Sequence, residues 1–316
     1  MTSTSPTAAR PHAALITGAT GFVGRALVAA LRRDGRPVIA LSRDARSAQA
    51  KLGQDVHVVE QLDEIPPDTA VDSIVHLAGA RVLGHPWTDA RRRTLLASRA
   101  GVTNRLLALM QRLQQPPRVL VAASAVGFYG ASPGGSFEPR DEASPPRPGQ
   151  FQSDLCAAIE REARRAKALG VRVVLMRFGV ILGRDDGAYP MQALAARLGI
   201  GAVLGSGRQP APWIHLDDAV GLVRLAIARA DLAGPVNAVA PDTRPQAEFA
   251  RVLSRSFGRR VLLRFPSAPL RLAMGEMGDL LLEGQNAVPA AAMRAGYAFV
   301  HPTLDEAMSD LAQKAA

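Results

Sequence analysis

Three glycines, Gly18, Gly21 and Gly24, punctuate the segment Leu15-Ile16-Thr17-Gly18-Ala19-Thr20-Gly21-Phe22-Val23-Gly24. An apolar run precedes it and a helical pattern follows, so the glycines fall on a strand-to-helix turn. At such a turn the first glycine permits the tight reversal and the second lets the backbone approach a pyrophosphate. The third lets the helix pack close to the strand. Amides at the helix start, from Thr20 through Phe22 and Val23, then face the phosphates with the helix dipole behind them. The chemistry implied is the binding of a nicotinamide dinucleotide. The competing reading, glycines that serve only chain reversal, does not account for the strand and helix on either side.

The end of the second strand discriminates between cofactors. A site that prefers NAD carries an acid there, about 20 residues on, for the ribose hydroxyls. Here the strand ends Ala40-Leu41-Ser42-Arg43. Arg43 offers a planar guanidinium to a 2′-phosphate and Ser42 adds a donor, so NADP(H) is expected over NAD. Asp44 follows at once and can instead cap the next helix; Arg43 also reads as a solvated surface charge. His76-Leu77-Ala78-Gly79-Ala80 ends a later strand, where Leu77, Ala78 and Gly79 let the backbone pass beside the cofactor.

These groups need a scaffold, and the first half of the chain supplies its pattern. Short apolar runs alternate with helical stretches, the signature of a Rossmann doubly wound parallel sheet, an α/β fold. Strands are expected at 13–17, 37–41, 56–59, 73–77, 118–122 and 171–177. Helices are expected at 22–34, 89–113 and 151–169. Beyond Gly179 glycine and proline become frequent. A helix at 216–230 and a strand at 236–239 return to the large domain. This divides the chain into a leader at 1–12 that reads as disordered, and a dinucleotide domain at 13–180 rejoined by 213–240. Residues 181–212 and 241–316 form a smaller C-terminal α/β substrate lid.

Composition narrows the function class. The 316 residues are 47% hydrophobic and 21% charged, as in an ordinary globular protein. The net charge of +10 raises the possibility of nucleic acid. However, the arginines are scattered in pairs over several helices, and aromatics are only 4%, too few for base stacking. No nucleic-acid partner is expected. No apolar run approaches the roughly 20 residues that span a bilayer, so no membrane partner is expected either. The single cysteine, Cys156, excludes an intrachain disulfide and suits a reducing, cytoplasmic setting. Six histidines and one cysteine form no metal-ligand spacing in the sequence, and no metal is expected.

Together these segments resemble the extended short-chain dehydrogenase/reductase superfamily, the NAD-dependent epimerase/dehydratase group. Pro86-Trp87-Thr88-Asp89-Ala90-Arg91, Ser98-Arg99 and Ser124-Ala125-Val126-Gly127-Phe128-Tyr129-Gly130 resemble an uncharacterised sugar-epimerase-like subfamily within it. Arg177-Phe178-Gly179-Val180-Ile181-Leu182-Gly183 and Trp213-Ile214-His215-Leu216-Asp217-Asp218 continue the match. The run from Pro269 to Gln285 resembles the small domain particular to that subfamily. The resemblance covers nearly everything after residue 12.

What the resemblance implies about catalysis is a Tyr that passes a proton and a Lys four residues later that lowers its pKa. No tyrosine here has that lysine: Tyr129, Tyr189 and Tyr297 are followed at that offset by Pro133, Ala193 and His301. The dyad would fall near Phe151 to Cys156, where neither residue type occurs. The superfamily Ser/Thr place is Ala125, with Ser124 one residue earlier. Substitute groups are Ser124, Tyr129, Cys156 and Asp154, although a free cysteine usually behaves as a small hydrophobe. Ser98 is a further cofactor contact, and Arg99, Arg177 and Glu142 are candidate substrate contacts. Asp218 reads as a capping or packing residue. The functional expectation is an NADP(H)-dependent oxidoreductase or epimerase-like enzyme acting on a small molecule. The rival is an NADP(H)-binding regulatory module without turnover. Helices 89–113 and 151–169 are, by analogy with such folds, a surface for a homodimer.

Overall fold

The computed structural model describes residues 12–132 and 135–313. The leader expected over 1–12 lies, apart from His12, outside the described residues. The first half alternates strand and helix: β1 (Ala13–Thr17), α1 (Phe22–Arg33), β2 (Val38–Leu41), α2 (Ala45–Leu52), β3 (His57–Val59), β4 (Val71–His76), α3 (Asp89–Arg112) and β5 (Val119–Ala125). A two-residue strand β6 (Pro139–Arg140) precedes α4 (Phe151–Arg164), β7 (Arg172–Phe178), β8 (Val180–Leu182) and α5 (Tyr189–Arg197). Then come β9 (Ala202–Leu204), β10 (Pro210–Ala211), β11 (Trp213–His215), α6 (Leu216–Ala228) and β12 (Gly234–Ala238). The rest comprises β13 (Arg244–Pro245), α7 (Gln246–Arg255), β14 (Leu263–Phe265), α8 (Ser267–Met274), α9 (Asp279–Leu282), β15 (Asn286–Ala287), α10 (Ala290–Arg294) and α11 (Leu304–Gln313).

Seven strands form one sheet in the order β12-β7-β5-β4-β1-β2-β3, and every pairing is parallel. Side chains alternate faces along a strand, so both faces of a parallel sheet must be covered. Ala14 and Ile16 of β1 meet Leu27 and Leu31 of α1 and Val223 of α6 in one cluster. Leu15 joins Leu106 and Met110 of α3 and Ala163 of α4 in the other. The C-terminal elements have an apolar cluster of their own, in which Tyr189, Phe249, Leu253, Leu304 and Met308 surround the fully buried Trp213.

The structure departs from the sequence pattern at two functional points. Strand β5 runs three residues past Ala122 because Ser124 and Ala125 keep pairing with Arg177 and Phe178 of β7. The helix expected over 151–169 leaves α geometry after Arg164 and tightens into a 3₁₀ turn at Arg165–Leu169, ending at Gly170 with φ 75°.

Candidate functional site

The glycine turn is locked by contact on every side. A Cβ on Gly18, which has φ +74°, would lie 2.8 Å from the backbone of Leu77 and Ala78. One on Gly24 would lie 2.2 Å from the Gly18 carbonyl, and one on Gly21 3.2 Å from it. The turn is therefore pressed against the end of β4, and α1 is pressed against the turn. Helix α1 begins at Gly21 without a side-chain cap and without an acid in its first turn. Such a start leaves amides available to an anion. A dinucleotide pyrophosphate fits this cradle, where any side chain would fill the space.

Thr17 and His76 brace the same floor, a pair that sequence reasoning missed. The Thr17 hydroxyl lies 2.6 Å from His76 Nδ1 and accepts from the Ala78 amide at 3.3 Å. Burial pulls the His76 pKa down to about 4, so the neutral ring accepts from Thr17 and its Nε2–H faces the Arg99 carbonyl at 3.4 Å. Phe22 is held from above, because Cβ atoms on Gly183 and Gly187 would lie 2.5 Å and 3.0 Å from its ring. Asp186 in the same loop faces Arg25 at 4.0 Å and Arg81 at 3.7 Å. Val23 packs against the α1 side of the core.

At the tip of β2 the partly buried Ser42 donates to the Asp44 carbonyl. Asp44 caps α2 by accepting from Ser47 at 2.8 Å. That leaves Arg43 exposed and without an ion pair or hydrogen bond among the described residues. Beyond β4, Leu77 and Ala78 are half-buried and Gly79 is exposed. Arg99 lies flat against Gly79, where a Cβ would come within 2.7 Å of its guanidinium carbon. It donates to the Leu95 and Ala80 carbonyls. The Ser98 hydroxyl donates to Leu95 and accepts from the Ala80 amide. Ser98 and Arg99 thus fasten the loop after β4 to α3.

Two of the candidate substrate contacts, Arg177 and Glu142, are buried and bonded within the protein. Arg177 is 2% exposed. It forms a fork with Glu160 at 2.7 and 2.9 Å, donates to Tyr129 Oη at 2.9 Å and stacks 3.5 Å over the Phe128 ring. Glu142 accepts from the Asn237 and Ala291 amides, both at 3.0 Å. Residues on a strand deep in a sheet must pair internally, and the three hydrogen-bond partners of Arg177 (Glu160, Tyr129 and the Glu142 carbonyl at 3.4 Å) arrive from other elements. The same network takes in two catalytic candidates. Ser124 donates to Glu160 at 2.9 Å, and Tyr129 donates to Asn237 at 2.6 Å. Burial raises the Tyr129 pKa against the opposing pull of Arg177.

The turn after β5 faces the start of α4. A Cβ on Gly127 would lie 3.6 Å from Gln152 Cβ and 3.9 Å from Cys156 Sγ. Gln152 and Cys156 are one helical turn apart on that face, the spacing the Tyr and Lys of the superfamily would have. Asp154, between them, points to the exposed side of the helix. Burial pushes the Cys156 thiol up to about 11, with the neighbouring Glu160 adding to the shift. Gln152 is buried, and its Oε1 finds no hydrogen-bond partner among the described residues. Its i, i+4 spacing to Cys156 was the signal available in the sequence.

The C-terminal segment reaches the same helix. The Glu276 carboxylate accepts from the Phe151 amide at 3.0 Å and pairs with Arg92 at 2.5 Å. Helix α4 has no side-chain cap from its own preceding residue, so Glu276 caps it from a distance of 125 residues. Met274, Met277 and Leu280 pack with Trp87 and Phe151 beside this contact.

Folding also gathers His215, Asp217 and His301, whose ligating atoms lie within 4.8 Å of one another, a grouping invisible in chain spacing. His215 Nδ1 already accepts from the Asp217 amide as the cap of α6. The capping role therefore belongs to His215. Asp218 instead holds the Tyr297 hydroxyl and the Val300 and His301 amides.

A parallel seven-stranded sheet with a glycine-locked β1–α1 turn defines a Rossmann-type protein of the extended short-chain dehydrogenase/reductase kind. The chain belongs to the NAD dependent epimerase/dehydratase family, whose model matches residues 14–239. Residues 265–311 match a domain of unknown function, DUF1731. The epimerase family protein YfhF of Bacillus subtilis is 35% identical over 300 residues, covering 94% of this chain and 96% of that protein. The human epimerase family protein SDR39U1 is 32% identical over 300 residues, covering 94% of this chain and 98% of its own. A crystal structure of that human protein (isoform 2) with NADPH has a TM-score of 0.85, covering 95% of this chain and 99% of that one.

Proposed function

We propose that the chain is an NADP(H)-dependent oxidoreductase or epimerase-like enzyme for a small-molecule substrate, working without a Tyr/Lys relay. The observation that carries the cofactor is the unpaired Arg43 at the tip of β2, beside a turn whose glycines leave room for nothing but backbone. The human relative crystallised with NADPH supports the same reading. The α1 amides and Phe22 would hold the pyrophosphate, and Ser42 with Arg43 the 2′-phosphate. When bound, the cofactor supplies or takes a hydride. Cys156 and Ser124 are the candidate groups at the reacting end, and the raised thiol keeps its proton at neutral pH. Calorimetric titration checks this: NADPH should bind at least about tenfold more tightly than NADH, and Arg43→Glu should erase the difference. Equal affinities in the unmodified chain would overturn the NADP assignment.

A second reading, cofactor binding without turnover, draws on the internal pairing of Tyr129 and Ser124. NADPH with panels of carbonyls, quinones and nucleotide sugars separates the two. Turnover lost in Ser124→Ala or Cys156→Ala supports the enzyme, whereas tight binding with no turnover supports the module. The same proposal takes residues 13–180 with 213–240 as the cofactor domain, and 181–212 with 241–316 as the substrate lid. It also takes α3 and α4 as a homodimer surface and the cytoplasm, suited to the free Cys156, as the setting.

A further inference from the structure

Among the described residues, Arg208, Arg251 and Arg264 line one cavity of about 520 Å³, together with Ser206, Gly207 and Glu248. The arginines come from three separate places: the loop after β9, the exposed side of α7, and β14. None of the three side chains makes an ion pair or a side-chain hydrogen bond with another described residue. The one acid in the lining, Glu248, is engaged by Arg244 at 3.2 Å. Three like charges around one concavity repel unless something negative lies between them.

The backbone holds this arrangement firmly. Gly207 has φ +70°, and a Cβ there would lie 2.4 Å from Val203 and 2.8 Å from Ala247. The loop is tied to the start of α7 by Ala247 N to the Gly207 carbonyl and Gln246 N to the Gln209 carbonyl, both 2.9 Å. Arg264 pairs across β14–β9 with Val203, the residue that Gly207 abuts. No residue of the glycine turn, of β4 or of α4 lines the cavity, so it is separate from the dinucleotide cradle.

We propose that this cavity is a second anion site, one that takes a phosphate ester or diphosphate group. The guanidinium forks match phosphate oxygens, and the volume suits a small ligand. Carboxylates are a poorer match, because a phosphate offers more oxygens to the three guanidiniums that line the cavity. Neither the site nor its occupant depends on the cofactor reading.

The decisive experiment is calorimetric titration of inorganic pyrophosphate into the full chain saturated with NADPH, which fills the cradle assigned to the cofactor's own pyrophosphate. The expected result is saturable binding that weakens about tenfold or more when Arg251→Ala and Arg264→Ala are added. Arg251→Lys with Arg264→Lys keeps the charge and should retain part of the affinity, which separates a lost site from a lost fold. Vesicles of phosphatidylcholine with and without phosphatidylglycerol form a second arm. Binding of the anionic vesicles alone, lost with the same two arginines, assigns the phosphate to a lipid headgroup. Pyrophosphate binding that survives Arg251→Ala with Arg264→Ala, or no binding in either arm, overturns the proposal.

Discussion

His76 and Gly24 show how much one side chain carries at this site. The buried His76 ring is neutral in the folded protein, with its pKa near 4, whereas an unfolded histidine titrates near 6.5. Between those values the unfolded chain binds more protons, so stability falls as pH drops from about 6.5 to 4 and then levels off. The full effect is on the order of 3 kcal/mol. Urea denaturation at pH 7 and pH 4.5 should show this loss, and His76→Asn should remove most of the difference. Gly24→Ala drives a methyl into the Gly18 carbonyl at 2.2 Å. We expect a cost of about 3 kcal/mol, together with weakened NADPH binding as the turn opens. Unchanged binding would mean that the turn does not shape the cradle. At the other end of the site, Cys156 should resist iodoacetamide at pH 8 in the native protein, because burial keeps it a thiol.

Helix α4 is an element assembled from three parts of the chain. Its own residues supply Gln152 and Cys156, the turn after β5 supplies the surface they face, and Glu276 supplies the cap. The C-terminal region thereby closes the amide end of the helix that carries the candidate reacting groups. Glu276→Ala should cost about 1 kcal/mol, the usual worth of a cap, since its pairing with Arg92 is partly solvated. Hydrogen exchange should rise at Phe151 and its neighbours while NADPH affinity stays the same. Faster exchange spread evenly over the chain would instead indicate general destabilisation. The helical pattern over 151–169 was legible in the sequence, but the partner of its first turn was not. No local signal connects positions 125 residues apart.

The whole molecule is tied together at the Arg177–Glu160 pair, where β7, α4, β5 and the segment around Tyr129 meet. A buried guanidinium that loses its carboxylate is left uncompensated, so Glu160→Leu should cost about 3–5 kcal/mol. Adding Arg177→Met should recover part of that in the same denaturation assay; no recovery would mean that Ser124 and Arg164, which also donate to Glu160 at 2.9 Å each, depend on it more than Arg177 does. By itself the sequence determined the glycine turn, the parallel α/β order and the absence of any Tyr followed four residues later by Lys. All of these are written in local spacing: period two in strands, period 3.6 in helices, and glycine where no Cβ fits. Only the tertiary structure decided that Arg177 and Glu142 face inward and that Gln152 and Cys156 face the turn after β5. The same holds for the closeness of His215 and His301, and for Glu276 capping a remote helix. Those outcomes depend on which distant groups satisfy a buried charge or an open helix end, and the packing of the sheet and its helices sets that choice.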